Sequence, residues 1–260
     1  MIYTLDNPVK IGIYHNSGKK TLAAVKKELG ADFACNLNLF DMRTFTGNCF
    51  TLADGKIVGN DGEVYPVLAW HTSDGVMHRD WSTACLEYDH AFGCLDLIRD
   101  GAYCVRTVPA WASGNRERTA IGIKKDGTIV VYCDKTPRSI DQVANMLIKS
   151  GVDYAINVDG GGSTQCIAPS GSVTSSRIVH TVFWAIEREK HANIPNATVR
   201  YGSRGDAAKW VQERLNEHGA NLVCDSIFGA KSVAALKSFQ RSHGLIADGI
   251  CGKMTRNALC

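Results

Sequence analysis

The sequence has 260 residues, 45% of them hydrophobic, with 29 basic and 26 acidic side chains and a formal net charge of +3; such a composition belongs to ordinary globular proteins and excludes disorder and collagen-like repeats. No apolar run approaches the roughly 20 residues that span a bilayer, and Met1 to Asp6 lack the basic-then-apolar pattern of a secretory signal. The expectation is a chain made in the cytoplasm without an export address and without a membrane partner.

Residues 21–29 carry apolar side chains at helical spacing, with Gly30 as a C-terminal stop. Residues 32–42 suit a buried strand running into a polar turn. From 43 to 105 the pattern reads as loop around short strands, with Asp54-Gly55 and Asp61-Gly62 as turn signals. Two β-rich runs within 119–132 flank Asp126-Gly127 and predict a hairpin. Ser139 with Gln142 forms a capping-box pair that opens a helix, whose apolar face is Ile140, Val143, Ala144, Leu147 and Ile148 and whose end is Gly151. A short buried strand over 154–158 feeds a glycine-rich loop, and a last strand is expected over 178–186. The charged, Pro-containing stretch that follows reads as a domain boundary, giving domains at 1–190 and 200–260 joined by a linker at 191–199. In the tail, Ala207, Trp210, Val211 and Leu215 mark one amphipathic helix, and Val233, Leu236 and Phe239 mark another.

Charge divides unevenly between the two parts. Residues 200–260 hold nine basic and five acidic side chains, against 20 and 21 in residues 1–199. A basic module serves nucleic acid or an anionic polymer such as a bacterial wall. This one has no dense Lys/Arg block and no ladder of exposed aromatics, so nucleic acid is not the expected partner.

The ten cysteines include no C-x-x-C pair and no zinc-finger spacing. Without an export signal they are expected to be reduced and mostly buried, with one disulfide open to Cys224, Cys251 and Cys260 if the protein ends outside the cell. His71, His78 and His90, with Asp74, Asp80 and Asp89 nearby, fit no common metal signature and read as polar loop residues. No metal and no cofactor are expected.

The most informative run is Asp159-Gly160-Gly161-Gly162-Ser163-Thr164. Three glycines directly after a buried strand allow a tight fold that turns backbone N–H groups inward beside two hydroxyls, which makes an anion cradle; the competing reading is a plain surface turn. Neither the dinucleotide fingerprint nor the phosphate loop with its Lys is present.

Residues 157–164, N-V-D-G-G-G-S-T, resemble the N-L-D-G-G-G-S-S/T signature of the phosphodiester glycosidase family. Arg118 to Gly122 resembles the family's R-T-A-I-G strand, Asn36 and Phe40 sit where it has N-G-G-F-F, and Ser175 to Val179 resembles its closing arginine strand. The resemblance implies an α+β fold with mixed sheets and a site in which Asp159, Arg118, Arg177 and Asn36 are catalytic and Asn157, Gly160, Gly161, Gly162, Ser163 and Thr164 bind substrate. Leu37 and Asn38 replace two glycines of the pattern, which predicts a reshaped or narrowed pocket. The chemistry implied is cleavage of a sugar C1–O bond with a phosphate leaving group, held by guanidinium and N–H donors. A carboxylate must assist, and Asp159 is the best placed, with Glu117, Asp41 or Asp134 as partner.

Residues 200–259 resemble a three-helix peptidoglycan-binding domain, through Gly202-Ser-Arg-Gly-Asp206, Val211-Gln212, Asp225, Ile227-Phe-Gly229, Phe239-Gln240, Gly244-Leu245, Asp248-Gly249, Gly252 and Thr255. Ser226 stands where that pattern has glycine. A catalytic domain tethered to a wall-binding module gains effective concentration on an insoluble polymer. The architecture resembles a phage endolysin, released from the cytoplasm to act on peptidoglycan or its teichoic acid. The competing expectation is an inactive protein that binds wall or phospho-sugar.

Overall fold

The computed structural model describes residues 1–5, 8–72, 76–187, 195 and 197–259. In chain order these form β1 (Ile2–Leu5), β2 (Pro8–His15), α1 (Leu22–Leu29), β3 (Phe33–Asn36), β4 (Phe40–Asp41), β5 (Thr46–Gly47), β6 (Thr51–Ala53), β7 (Lys56–Gly59), β8 (Pro66–Trp70), β9 (His78–Trp81), β10 (His90–Phe92), β11 (Leu95–Arg99), β12 (Ala102–Tyr103), β13 (Arg116–Lys124), β14 (Ile129–Arg138), α2 (Ile140–Lys149), β15 (Val152–Asn157), β16 (Cys166–Ala168), β17 (Gly171–Val173) and β18 (Thr181–Glu187), then α3 (Asp206–Glu217), α4 (Ala230–Ser242) and α5 (Lys253–Leu259). Contacts divide the chain into two units, Met1–Arg188 and Glu189–Cys260. Most of the expected linker at 191–199 lies outside the described residues, as do Asp74 and Cys260.

The fold is α+β. Three sheets build the first unit, ordered β1-β14-β13-β15-β11-β12, β17-β16-β3-β18-β2 and β4-β5-β7-β6-β10-β8-β9. Their inner faces meet in one core: Ile121, Val131 and Ile156 from the first, Ile11, Phe33 and Phe183 from the second, Leu68, Trp70 and Phe92 from the third. Strand alternation sends the intervening residues outward. Ala120, Val130, Tyr132 and Ala155 thus face α2, which covers them with Val143, Ala144 and Leu147. Helix α1 covers Ala34 and Val182 on the second sheet with Leu22 and Val25.

Local chemistry sets the element ends. Thr21 Oγ1 accepts the Ala24 N–H at 3.2 Å, and Gly30 ends α1 at φ 61°. Ser139 and Gln142 close a full capping box on α2, and Asp126 Oδ1 accepts the Thr128 N–H at 3.0 Å in the β13–β14 turn. Residues 43–105 hold the short strands expected among their loops, and these assemble most of the third sheet. Their strands are two to five residues long, too short for a period of two to stand out in sequence.

The second unit packs Val211, Leu215, Phe228, Leu236 and Phe239 between its helices, and it has a third helix, α5, beyond the two that periodicity marks. It is built on a repeat. Gln212 Nε2 bonds Asp225 at 2.9 Å, Ile227 O at 3.0 Å and Ser232 Oγ at 3.1 Å, while its Oε1 accepts the Ser226 N–H at 3.1 Å. Gln240 does the same with Asp248 at 3.0 Å, Ile250 O at 3.1 Å, Thr255 Oγ1 at 3.2 Å and the Gly249 N–H at 2.9 Å. The matching sequence is D-x-I-x-G-x-x-S/T at 225–232 and 248–255. Gly249 has φ 77° and Ser226 φ 64°, so the serine holds the left-handed turn that the other copy gives to glycine. Among the described residues Cys35, Cys49, Cys85, Cys94, Cys104, Cys133, Cys166 and Cys224 are free thiols. Among the described residues no helix is long and apolar enough to cross a membrane.

Candidate active site

Strand β15 runs between β13 and β11, pairing Asn157 with Ala120 and Leu95. Beyond its end the chain crosses to the second sheet: the Val158 N–H donates to Thr119 O at 3.0 Å, and the Asp159 N–H donates to Leu37 O at 3.0 Å. The glycine loop therefore lies where two sheets converge.

Each glycine is set there by contact or conformation. A Cβ at Gly160 would fall 2.6 Å from Glu117 O, and one at Gly162 would fall 2.5 Å from an Arg177 guanidinium nitrogen. Gly161 has φ 58°, in the left-handed region. The Ser163 N–H and Thr164 N–H close the turn on Gly160 O at 3.2 Å and Gly161 O at 3.0 Å. The N–H groups of Gly161 and Gly162 have no partner among the described residues. The cradle is thus smaller than the sequence predicts, because two of its amides are spent on its own fold.

Asp159 and Arg177 come together here. Burial pushes the Asp159 carboxyl up to about 6, against the Ser163 hydroxyl, the Gly160 N–H and the Arg177 charge, all of which pull it down. Arg177 Nη1 donates to Ser163 Oγ at 3.2 Å. Two neighbours that sequence reasoning left without a role hold the arginine in place. Ser175 Oγ donates to Gly162 O at 2.5 Å and accepts the Arg177 N–H at 3.1 Å, and Gln165 Nε2 donates to Arg177 O at 2.8 Å. Their only sequence signal is position, since Gln165 directly follows the signature and Ser175 stands two before Arg177.

Four other expected site residues lie elsewhere or do something else. Asn36 is fully buried; its Nδ2 donates to Asp159 O at 2.7 Å, and its Oδ1 accepts Thr119 Oγ1 at 2.8 Å and the Gln165 N–H at 3.0 Å. These bonds tie Asn36 to the backbone of the loop and to β13. Arg118 is adjacent to Thr119 on β13, so its side chain leaves the opposite face of the strand. There its Nη2 donates to Ala112 O and Gly114 O, each at 2.7 Å, and its Nε donates to Arg138 O at 3.1 Å. Asn157 is buried and donates to Val158 O at 3.0 Å. Thr164 is fully buried as well, and its Oγ1 has no partner among the described residues.

The narrowed pocket expected from Leu37 and Asn38 is also corrected. Leu37 joins the core and Asn38 is 3% exposed. The Asn38 amide donates to Phe50 O at 2.9 Å, Thr51 Oγ1 at 2.8 Å and Gly93 O at 3.2 Å. Both side chains are absorbed by the interior between sheets.

Of the candidate partner carboxylates, Glu117 has its backbone carbonyl against Gly160 and its side chain 3.0 Å from Lys135 Nζ. Asp134 is paired with the Met1 amino group at 2.7 Å and held down at about 2. Asp41 accepts the Arg43 and Thr44 N–H groups, at 2.7 and 3.3 Å, and is also lowered.

Among the histidines, His90 serves the scaffold. His90 is buried, and its Nδ1 accepts the N–H groups of Ile13 at 3.4 Å and Asp54 at 3.3 Å. That leaves Nε2 to carry the proton toward Thr72 Oγ1 at 2.9 Å. Among the described residues no group of three or more His, Cys, Asp or Glu could hold a metal ion. Elsewhere in this unit, Cys49 and Cys94 bring their sulfurs to 3.2 Å. In the second unit, a groove of about 350 Å³ opens between Gln240, Leu245, Ile246, Ile250 and Met254.

Residues 20–199 match the phosphodiester glycosidase family, and residues 204–259 match a peptidoglycan binding domain. The catalytic domain of zebrafish N-acetylglucosamine-1-phosphodiester alpha-N-acetylglucosaminidase, in a form auto-inhibited by its pro-peptide, superposes with TM-score 0.60 at 21% identity, over 72% of this chain and 76% of that one. A zinc D-Ala-D-Ala carboxypeptidase of Streptomyces albus G is 39% identical over 67 residues, 25% of this chain and 26% of its own length. A Burkholderia AP3 phage endolysin is 41% identical over 24% of each chain, with TM-score 0.24. The chain thus spans about a quarter of the carboxypeptidase it matches.

Proposed function

The chain belongs to the phosphodiester glycosidase family, and from that premise we propose that its first unit hydrolyses a glycosyl-1-phosphodiester bond in a bacterial wall polymer while its second unit holds it on peptidoglycan. The observation that carries the reading is one carboxylate, Asp159, with its pKa raised to about 6 beside the Arg177 guanidinium in a glycine loop. A pure phosphate binder gains nothing from an acid at its cradle, since like charges repel.

A phosphate leaving group departs readily once its charge is held. Arg177 and the free N–H groups of Gly161 and Gly162 are the donors for it. As the C1–O bond breaks, Asp159 in its ionised form faces the cationic sugar and takes the proton of the attacking water, so the products are a free sugar and a phosphate monoester. A group that titrates near 6 does this well at neutral pH. Glu117, held by Lys135, is the second carboxylate. Asn36, Ser175 and Gln165 are positioning residues.

The match over residues 204–259 supports attachment to the wall, and with it an endolysin-like protein that acts after release from the cytoplasm, with peptidoglycan or its teichoic acid as partner. The test is incubation with bacterial walls before and after removal of teichoic acid, with mass analysis of what is released. Product only from walls that keep their phosphodiester polymer supports the proposal. Glycan fragments from stripped walls make the protein a peptidoglycan glycosidase, and binding without product makes it an inactive binder.

A further inference from the structure

Away from the glycine loop, a cavity of about 290 Å³ is lined by Pro66, Arg79, Asp80, Trp81, Arg99 and Tyr154. It opens beside β9, the outermost strand of the seven-stranded sheet. Arg79 and Trp81 stand two apart on β9 and so leave the same face of it. Trp81 is 52% exposed and lies across from Pro66 on β8, which leaves a large apolar plate open to solvent at the rim.

The wall behind the plate is polar and only partly satisfied. Arg79 lays its guanidinium over the Tyr154 ring, 4.7 Å from the centroid, and donates to Asp100 at 2.7 Å. Arg99 is held by Asp96. Tyr154 is 1% exposed, and among the described residues its hydroxyl makes no hydrogen bond of ordinary length; burial, and then the proximity of Asp96 beside it, push the phenol's pKa up. A buried hydroxyl held only by so loose a contact keeps the capacity to bond a ligand that enters the cavity.

Charge selects the class of ligand. Each guanidinium already has its own carboxylate, and Asp80 adds another, so the cavity has no surplus of positive charge to draw a phosphate. What it offers is an aromatic plate beside fixed donors and acceptors, suited to a molecule with a C–H face and a rim of hydroxyls. We propose that this cavity is a glycan subsite, in which a neutral sugar unit stacks on Trp81 and bonds to the Tyr154 hydroxyl and the two guanidiniums. Tyr154 and Asp159 are five residues apart along β15 and its continuation, at most about 17 Å. The subsite holds a polymer at a distance from the bond that is cut, and it stands whether or not the Asp159 loop turns over.

The test titrates the full chain with a β-1,4-linked N-acetylglucosamine tetramer, read by calorimetry and by the indole N–H resonances. The second unit is present throughout, so only the differences between variants count. Trp81→Ala, at an exposed position, is expected to weaken binding tenfold or more, and Tyr154→Phe threefold to tenfold at unchanged Tm; Trp81→Tyr restores most of it, and Asp159→Asn has no effect. Absence of tetramer binding at millimolar concentration overturns the proposal. So does affinity unchanged within twofold in both Trp81→Ala and Tyr154→Phe, or inorganic phosphate shifting the Trp81 resonance where the tetramer does not.

Discussion

Asp159→Asn is expected to stabilise the first unit at alkaline pH and leave it unchanged in acid. The carboxyl rises from 3.8 to about 6 on folding because burial disfavours its charge. Below 3.8 it is protonated in both states and contributes nothing. Between 3.8 and about 6 the folded chain keeps a proton that the unfolded chain has released, so stability falls as pH rises, and above 6 the whole penalty is present. Two pH units at 1.36 kcal/mol each give about 3 kcal/mol, and partial exposure of the side chain brings this nearer 2 kcal/mol. Asparagine carries no charge and avoids it. At 2–4 °C per kcal/mol for a unit of this size, the variant melts about 4–8 °C above the parent at pH 8 and level with it at pH 4. Calorimetric melts of the full chain across this range, following the transition of the first unit, are the assay. Parallel pH profiles for parent and variant would refute a desolvated carboxylate at 159. Under the function proposed above, turnover of a synthetic glycosyl-1-phosphodiester should likewise rise through about pH 6 in the parent and be lost in the variant.

Gly162→Ala drives a methyl group into the Arg177 guanidinium, and the far end of a long side chain can move away; Tm should change by little while kcat falls about a hundredfold, and equal activity would mean that Arg177 takes no part. Asn36→Ala strands the Thr119 hydroxyl and two backbone groups, so a loss of about 3 kcal/mol or more in urea unfolding is expected together with loss of activity. Arg118→Ala leaves the carbonyls of Ala112, Gly114 and Arg138 without their donor, the first of them buried, and lowers Tm by several degrees; if it instead raises KM selectively at unchanged Tm, the side chain reaches substrate after all. Ser226→Gly relieves a left-handed serine and should stabilise the second unit by about 1 kcal/mol, visible as a higher denaturation midpoint.

Much of this site is legible in the sequence as a motif, and much less as geometry. Asp159 and the glycine triplet are visible because their chemistry is consecutive in the chain, and helix α2 and the β13–β14 hairpin announce themselves by capping and turn residues. Arg118 and Asn36 stand out in the sequence as motif residues, but the bonds they make inside the fold do not. A residue that a fold needs for internal hydrogen bonds recurs in a motif as faithfully as one that meets substrate, and only the side of the strand it leaves from tells them apart. Leu37 and Asn38 are opaque for the same reason, since nothing local says that their side chains turn inward. The third sheet is hidden because its strands are too short to show a pattern, and the Gln212 and Gln240 repeat because what it repeats is a set of hydrogen bonds more than a run of apolar residues.

The bond from Asn36 to Asp159 spans 123 residues of sequence, and that from Gln165 to Asn36 spans 129. Contacts of such separation carry a large loop-closure cost and form only when the intervening chain is in place. The glycine loop is therefore expected to acquire its shape late in the folding of this unit, after the two sheets it joins have closed. Activity in a refolding experiment should lag behind the recovery of β-structure, and the site should vanish early in unfolding, before the hairpin of β13 and β14 melts. The site is then complete only when the whole unit has closed.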